Sequence, residues 1–176
     1  MIQTIRQGKW AGRFIWASVL EGLGAVTWTL FIITPWIVPA PSRVIAGGGA
    51  GTWLFVGYSL YLLVGVVAVA VTSIFYVYIE GIQGKTYSGI PNYLAWAQIL
   101  LMNVGVVGAT WLMMYAGFTG GAASLPTSVG GQGLNPGQVH LTILQYYPEP
   151  IFYFLVLAVL GVLSGGLGYI LASRKS

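Results

Sequence analysis

Between Thr86 and Pro148 the chain runs 63 residues without a Lys, Arg, Asp or Glu. A water-facing domain is about a quarter charged, so an ordinary soluble fold does not accommodate such a run. Its first part, Tyr93 to Phe118, is apolar and long enough to cross a bilayer, for which roughly 20 residues suffice. The remainder, Thr119 to Tyr147, is rich in Gly, Ser, Thr, Pro, Gln and Asn. It reads as an irregular connection outside the bilayer, because unpaired backbone N–H and C=O groups are not tolerated in lipid. An uncharged external loop of this length is expected to serve a function, here to be covered by a partner.

Three further apolar stretches are of spanning length: Phe14–Pro39, Trp53–Ile79 and Ile151–Ala172. Only 6% of residues are charged, 57% are hydrophobic, and the mean hydropathy is +0.82. The expected fold class is therefore an all-α integral membrane protein. It is a single four-helix transmembrane domain over residues 1–176, with spans 14–39, 53–79, 93–118 and 151–172 and an external loop at 119–147. The first stretch is too long for a signal peptide and contains Glu21, so it reads as a retained span. An orientation with both termini inside places Arg6, Lys9, Arg13, Lys85, Arg174 and Lys175 on the cytoplasmic face and leaves Arg43 outside. The expected location is the plasma (cytoplasmic) membrane, multi-pass. Trp10, Trp36, Trp53, Tyr93 and Trp96 fall near span ends, as aromatic belts do.

The chain lacks Cys and Asp and has one His. Disulfides, thiolate metal sites and a Ser/His/Asp arrangement are excluded, and a bis-histidine haem or a three-ligand zinc site needs more than His140. The net charge of +4 sits at membrane edges rather than in a basic patch, so no nucleic acid is expected. Gly130-Gly131-Gln132-Gly133 follows no strand and carries no Lys, unlike a phosphate cradle.

Few residues remain that can carry chemistry. Glu21, about seven residues into the first span, is an intramembrane carboxylate. It is a candidate to relay a proton or bond a cofactor, weighed against a packing role. Asn103, with Gln98 just before it, is expected to hydrogen-bond a neighbouring helix. Gly161 and Gly165 form a GxxxG pattern for close helix approach, and Glu80 reads as interfacial. His140, with Met113 and Met114, is a remote candidate for soft copper ligation. The loop around Gly130, Gln132 and His140 is the expected docking surface.

The segment Gly137-Gln138-Val139-His140-Leu141-Thr142-Ile143-Leu144 resembles the part of haem-copper oxidase subunit I in which a span begins with a haem-ligating His. The resemblance implies a reduced relative or an associated small subunit, with haem or copper carried by partner subunits. Pro148-Glu149-Pro150 interrupts the pattern and the family's other histidines are missing, so His140 is not assigned as a ligand from it. The function expected is a non-catalytic accessory subunit of a multi-subunit membrane complex, of a respiratory or other redox (terminal oxidase) type. Its partners would be other membrane subunits and lipid, with no cofactor held by this chain alone. The alternatives are an oligomeric transporter or channel using Glu21 and Asn103, and a structural protein of an envelope or virion.

Overall fold

A computed structural model describes residues 8–174; Arg6 and Lys175, two of the charges used to orient the chain, lie outside them. The described residues are all-α, with no strand among them. Four helices are long and apolar enough to cross a membrane: Lys9–Ile33 (α1), Gly49–Ile82, Ile90–Ser124 and Leu144–Ser173. Between the first two lies a short helix, α2 (Pro41–Ala46). The second long helix is one rod containing α3 (Thr52–Leu60), a π-helical stretch Tyr61–Val67, α4 (Ala68–Tyr76) and a second π stretch Val77–Ile82. Ile90–Ser124 is α5; α6 (Pro136–Thr142) and α7 (Pro148–Ser173) complete the chain.

The helix ends differ from the expected spans for identifiable reasons. The first span was expected to run 14–39, but α1 stops at Ile33. Pro35 biases Thr34 away from helical ψ, and Thr34 is extended (ψ 120°). At the other end α1 starts five residues early, at Lys9. Its first-turn N–H groups find an acceptor on the rod: Glu80 Oε2 accepts from the backbone N–H of Trp10 (2.9 Å) and Ala11 (3.4 Å). Gly8 permits this, since a Cβ there would lie 2.1 Å from that oxygen. Glu80 is thus a cap supplied from another helix, placing a carboxylate at a positive dipole end. We expect Glu80→Ala to fray the first turn of α1 and cost about 1 kcal/mol, read as a small fall in melting temperature and faster amide exchange at residues 10–12.

The largest difference lies after Phe118. The stretch 119–147 was expected to be irregular, yet α5 continues to Ser124. Gly117 and Gly121 are helix-packing residues: Cβ atoms there would lie 2.1 Å from Leu54 N and 2.7 Å from Gly51 Cα. Beyond Ser124 the backbone folds back on the end of α5, with Gln132 and Leu134 N–H both donating to Ala123 O and Gly133 N–H to Leu125 O. α6 opens on a capping box, in which Asn135 Oδ1 accepts from Gln138 N–H and Gln138 Oε1 from Asn135 N–H, each at 2.9 Å. Asn135→Ala should remove about 1 kcal/mol of local stability, seen as accelerated exchange confined to α6.

α5 is the centre of the bundle, with α3 on one side and α7 packed chiefly against the other. α1 lies along the rod, joined to it by Ser18 Oγ donating to Val66 O (3.2 Å) and by the Thr29–Tyr58 hydroxyl pair (2.6 Å). One apolar cluster, including Trp10, Phe14, Tyr76, Ile79 and Met102, fills the half of the bundle where α1 and α5 begin. A second, around Ala25, Leu54, Tyr61 and Met114, fills the other half. Lys9, Arg13, Lys85 and Arg174 lie at the first end, and Arg43 at the opposite end. The outward faces of α1 and α7 remain apolar, with Leu20, Leu23, Leu163 and Leu167 all exposed; lipid is the solvent that suits them.

Candidate functional site

Glu21 is the midpoint of α1, twelve residues from either end. The early start of the helix therefore puts it about 18 Å along the axis, deeper than the roughly 10 Å expected from a span beginning at Phe14. Its side chain is buried at 8% exposure and turned onto the rod. There the Tyr61 hydroxyl donates to Glu21 Oε2 at 2.6 Å and to the Glu21 carbonyl oxygen at 3.0 Å. Tyr61 is itself buried (1%) and opens the first π stretch.

Two glycines make this geometry possible. A Cβ on Gly24 would lie 2.3 Å from the Tyr61 hydroxyl, and one on Gly65 would lie 2.9 Å from its ring. Gly24 on α1 and Gly65 on the rod thus leave the volume the ring occupies. Trp111 of α5 closes the cage edge-on (6.0 Å between centroids) and passes the aromatic contact on to Trp28 (5.8 Å). Tyr61 was not among the candidates read from sequence. The usable signal was glycine spacing: Gly24 follows Glu21 by three residues and Gly65 follows Tyr61 by four, each one turn on.

Chemically, the pair holds a proton between a phenol and a carboxyl group. Transfer further along α1 would need a neighbour within hydrogen-bond reach. Ser18 lies one turn away, about 4.5 Å along the axis, while Thr29 lies about 12 Å away. Ser18 already donates to Val66 O, and the step to Thr29 exceeds a hydrogen bond by several fold. The local geometry suits an anchor between α1 and the rod.

The other sequence candidates are dispersed. Asn103 Nδ2 donates to Ile99 O of its own helix (2.6 Å) instead of to a neighbouring one, and its Oδ1 is buried without a partner among the described residues. Gln98 makes the interhelical bond, accepting from the Tyr76 hydroxyl at 2.7 Å. Gly161 and Gly165 face α5, with Cβ positions 2.4 Å from Met102 N and 2.0 Å from Gln98 Cδ, so this pattern serves the chain's own bundle. His140 is exposed on α6, a seven-residue surface helix separated from α7 by residues 143–147, so it does not begin a span. Met114 is fully buried against Gly57, away from that surface. Among the described residues no three of His, Cys, Asp or Glu cluster as metal ligands. Gly130 adopts φ 88° at a left-handed turn packed on Val38, and Gln132 is pinned by its backbone to Ala123.

At the charged end, the Arg13 guanidinium is sandwiched between the rings of Trp10 and Trp96, 4.3 Å from each centroid. The two indoles meet edge-on at 5.1 Å, and Trp10 Nε1 donates to Asn92 Oδ1 at 3.2 Å. Cation–π contact in a partly desolvated position is worth about 1–2 kcal/mol, so Arg13 ties the start of α1 to the start of α5.

The structure thus defines a polytopic α-helical protein whose four long helices are apolar enough to span a membrane. In comparison with known proteins, no family model, no curated protein and no solved structure matches the chain.

Proposed function

We propose that the chain is an accessory subunit of a larger membrane complex and docks its partner through the end of the bundle that carries residues 125–147. The observation supporting this reading is the character of that end. The segment there is held in place by main-chain bonds and a capping box, lies in a run without charge from Thr86 to Pro148, and exposes Leu141 (64%) and Tyr146 (67%). Ordered backbone, an uncharged segment and an exposed aromatic group together are the composition of an interface core. A cleft of about 440 Å³ between Val38, Pro39, Phe118, Thr142 and Tyr146 offers a recess for a partner side chain.

The orientation proposed has both termini on the cytoplasmic face of the plasma membrane, following the distribution of Lys and Arg, so the docking end faces outward. The complex proposed is of a respiratory or other redox class, the class implied by the resemblance around His140, with haem or copper in the partners.

Purification in mild detergent from the native membrane, with mass spectrometry of co-purifying chains and a visible spectrum, tests this. Stoichiometric membrane partners with haem absorption are expected. Leu141→Glu combined with Tyr146→Glu should release those partners while leaving the helix content intact. A chain that runs as a homo-oligomer in both forms would overturn the reading in favour of a transporter or channel.

A further inference from the structure

A second cavity lies on the lateral face of the bundle, in the half where α1 and α5 begin. It has a volume of about 290 Å³ and is bounded by α4, the 83–89 connection, α5 and α7. We propose that it binds the head of a neutral, planar, carbonyl-bearing membrane amphiphile, a quinone-type ring.

The walls are aromatic. Tyr76 and Tyr87 meet at 4.8 Å between centroids, and Phe75 and Tyr169 meet edge-on at 6.0 Å. Such walls favour a flat ring packed against them. The floor is Gln98, which is more than nine-tenths buried at 7% exposure. Its Oε1 accepts from Tyr76, and its Nε2 has no hydrogen-bond partner among the described residues, on a side chain that lines the cavity. A ligand carbonyl in the cavity can accept from this amide. Tyr87 and Tyr169 add phenol groups to the same wall. The Tyr87 phenol is pushed upward in pKa, first by burial and then by the Glu80 carboxylate, so it remains a neutral donor.

Charge selects among membrane amphiphiles. No Lys or Arg lines the cavity, and its polar groups are neutral. A phospholipid phosphate would enter without a counter-charge, whereas a quinone presents neutral carbonyl acceptors that match the donors. The mouth faces the apolar surface, past Phe75, Val162 and Gly166, the first two more than half exposed. A hydrocarbon tail would leave there into lipid. Gly166 lines the cavity with open space in front of it, since a Cβ at this position meets nothing within 4 Å.

The binding does not depend on any partner subunit. The test is photolabelling of the purified chain in phosphatidylcholine nanodiscs with an azido-substituted decylbenzoquinone, with labelled peptides mapped by mass spectrometry. Labelling is expected at the peptides carrying Tyr87 and Tyr169 and should be displaced by unlabelled decylbenzoquinone but not by added phospholipid. Gln98→Leu should weaken half-displacement about tenfold, the effect of one lost hydrogen bond. Gly166→Trp, placed where there is room for a side chain, should abolish labelling while leaving the melting temperature unchanged. Labelling spread over the apolar surface, displacement by phospholipid, or labelling that survives Gly166→Trp would each overturn the proposal.

Discussion

Gly105→Leu is expected to detach α7 from the bundle. A Cβ on Gly105 would lie 2.3 Å from Ala158 N and 2.6 Å from Phe154 O, and both are main-chain atoms of a helix that cannot yield locally. The same seam continues at Gly161, whose Cβ would lie 2.4 Å from Met102 N. In lipid there is no hydrophobic force between helices, so their association rests on close packing and a few polar bonds. α7 has little besides this seam: the Phe75–Tyr169 ring contact and the Lys85 ammonium donating to the Ser173 carbonyl. Overpacking ordinarily costs about 1–3 kcal/mol; a clash with backbone along the main contact of a span belongs at or above the top of that range. At ~2–4 °C per kcal/mol for a chain of this size, the melting temperature in detergent should fall by roughly 10 °C or the protein should fail to run as a single species. Gly22→Leu is the control, because a Cβ there meets nothing within 4 Å. It should change stability by about 0.5 kcal/mol or less. Equal behaviour of the two variants would show that α7 is not held by close packing on α5.

The four long apolar helices were legible because hydropathy over twenty residues survives any detail of packing. Their ends were not, because each is decided by something outside the hydropathy pattern. Pro35 sits inside an apolar run and still stops α1. Glu80, seventy residues away from Trp10 in sequence, starts it. Gly120 and Gly121 read equally well as loop formers or as contact points, and only the proximity of Ala50 to the first and Gly51 to the second decides for the latter. The same ambiguity hid the site. Glu21 stands out in any reading of the chain, since an acid in a span is rare, but its partner is an ordinary tyrosine forty positions on. Asn103 attracted the interhelical bond in the sequence reading because it lies nearer the middle of its span. Gln98, one turn and more earlier, has the longer side chain and faces Tyr76, so it makes that bond.

Tyr61→Phe is expected to destabilise the protein more than any change at Glu21 itself. Removing the hydroxyl leaves a carboxyl group at the midpoint of α1 with no hydrogen bond from another side chain, among apolar neighbours. An orphaned buried polar group costs about 1–3 kcal/mol, and more if charged, whereas a polar bond between membrane helices is worth about 0.6 kcal/mol on average. The first figure is the relevant one here, because Gly24 and Gly65 fix the ring so closely that no other donor can take its place. Glu21→Gln keeps an acceptor oxygen opposite the Tyr61 hydroxyl and should melt within a degree or two of the native chain, given ~2–4 °C per kcal/mol. Glu21→Leu leaves Tyr61 with only the weaker bond to the carbonyl and should fall between. The double variant Glu21→Leu/Tyr61→Phe removes both partners, so it should recover much of the loss of Tyr61→Phe alone. A coupling of about 0.5–3 kcal/mol between the two positions is expected from the cycle. Additive losses would mean that the pair is no anchor. In that event, Glu21→Gln should be assayed in the complex proposed above, where normal assembly with lost turnover would assign Glu21 to proton transfer.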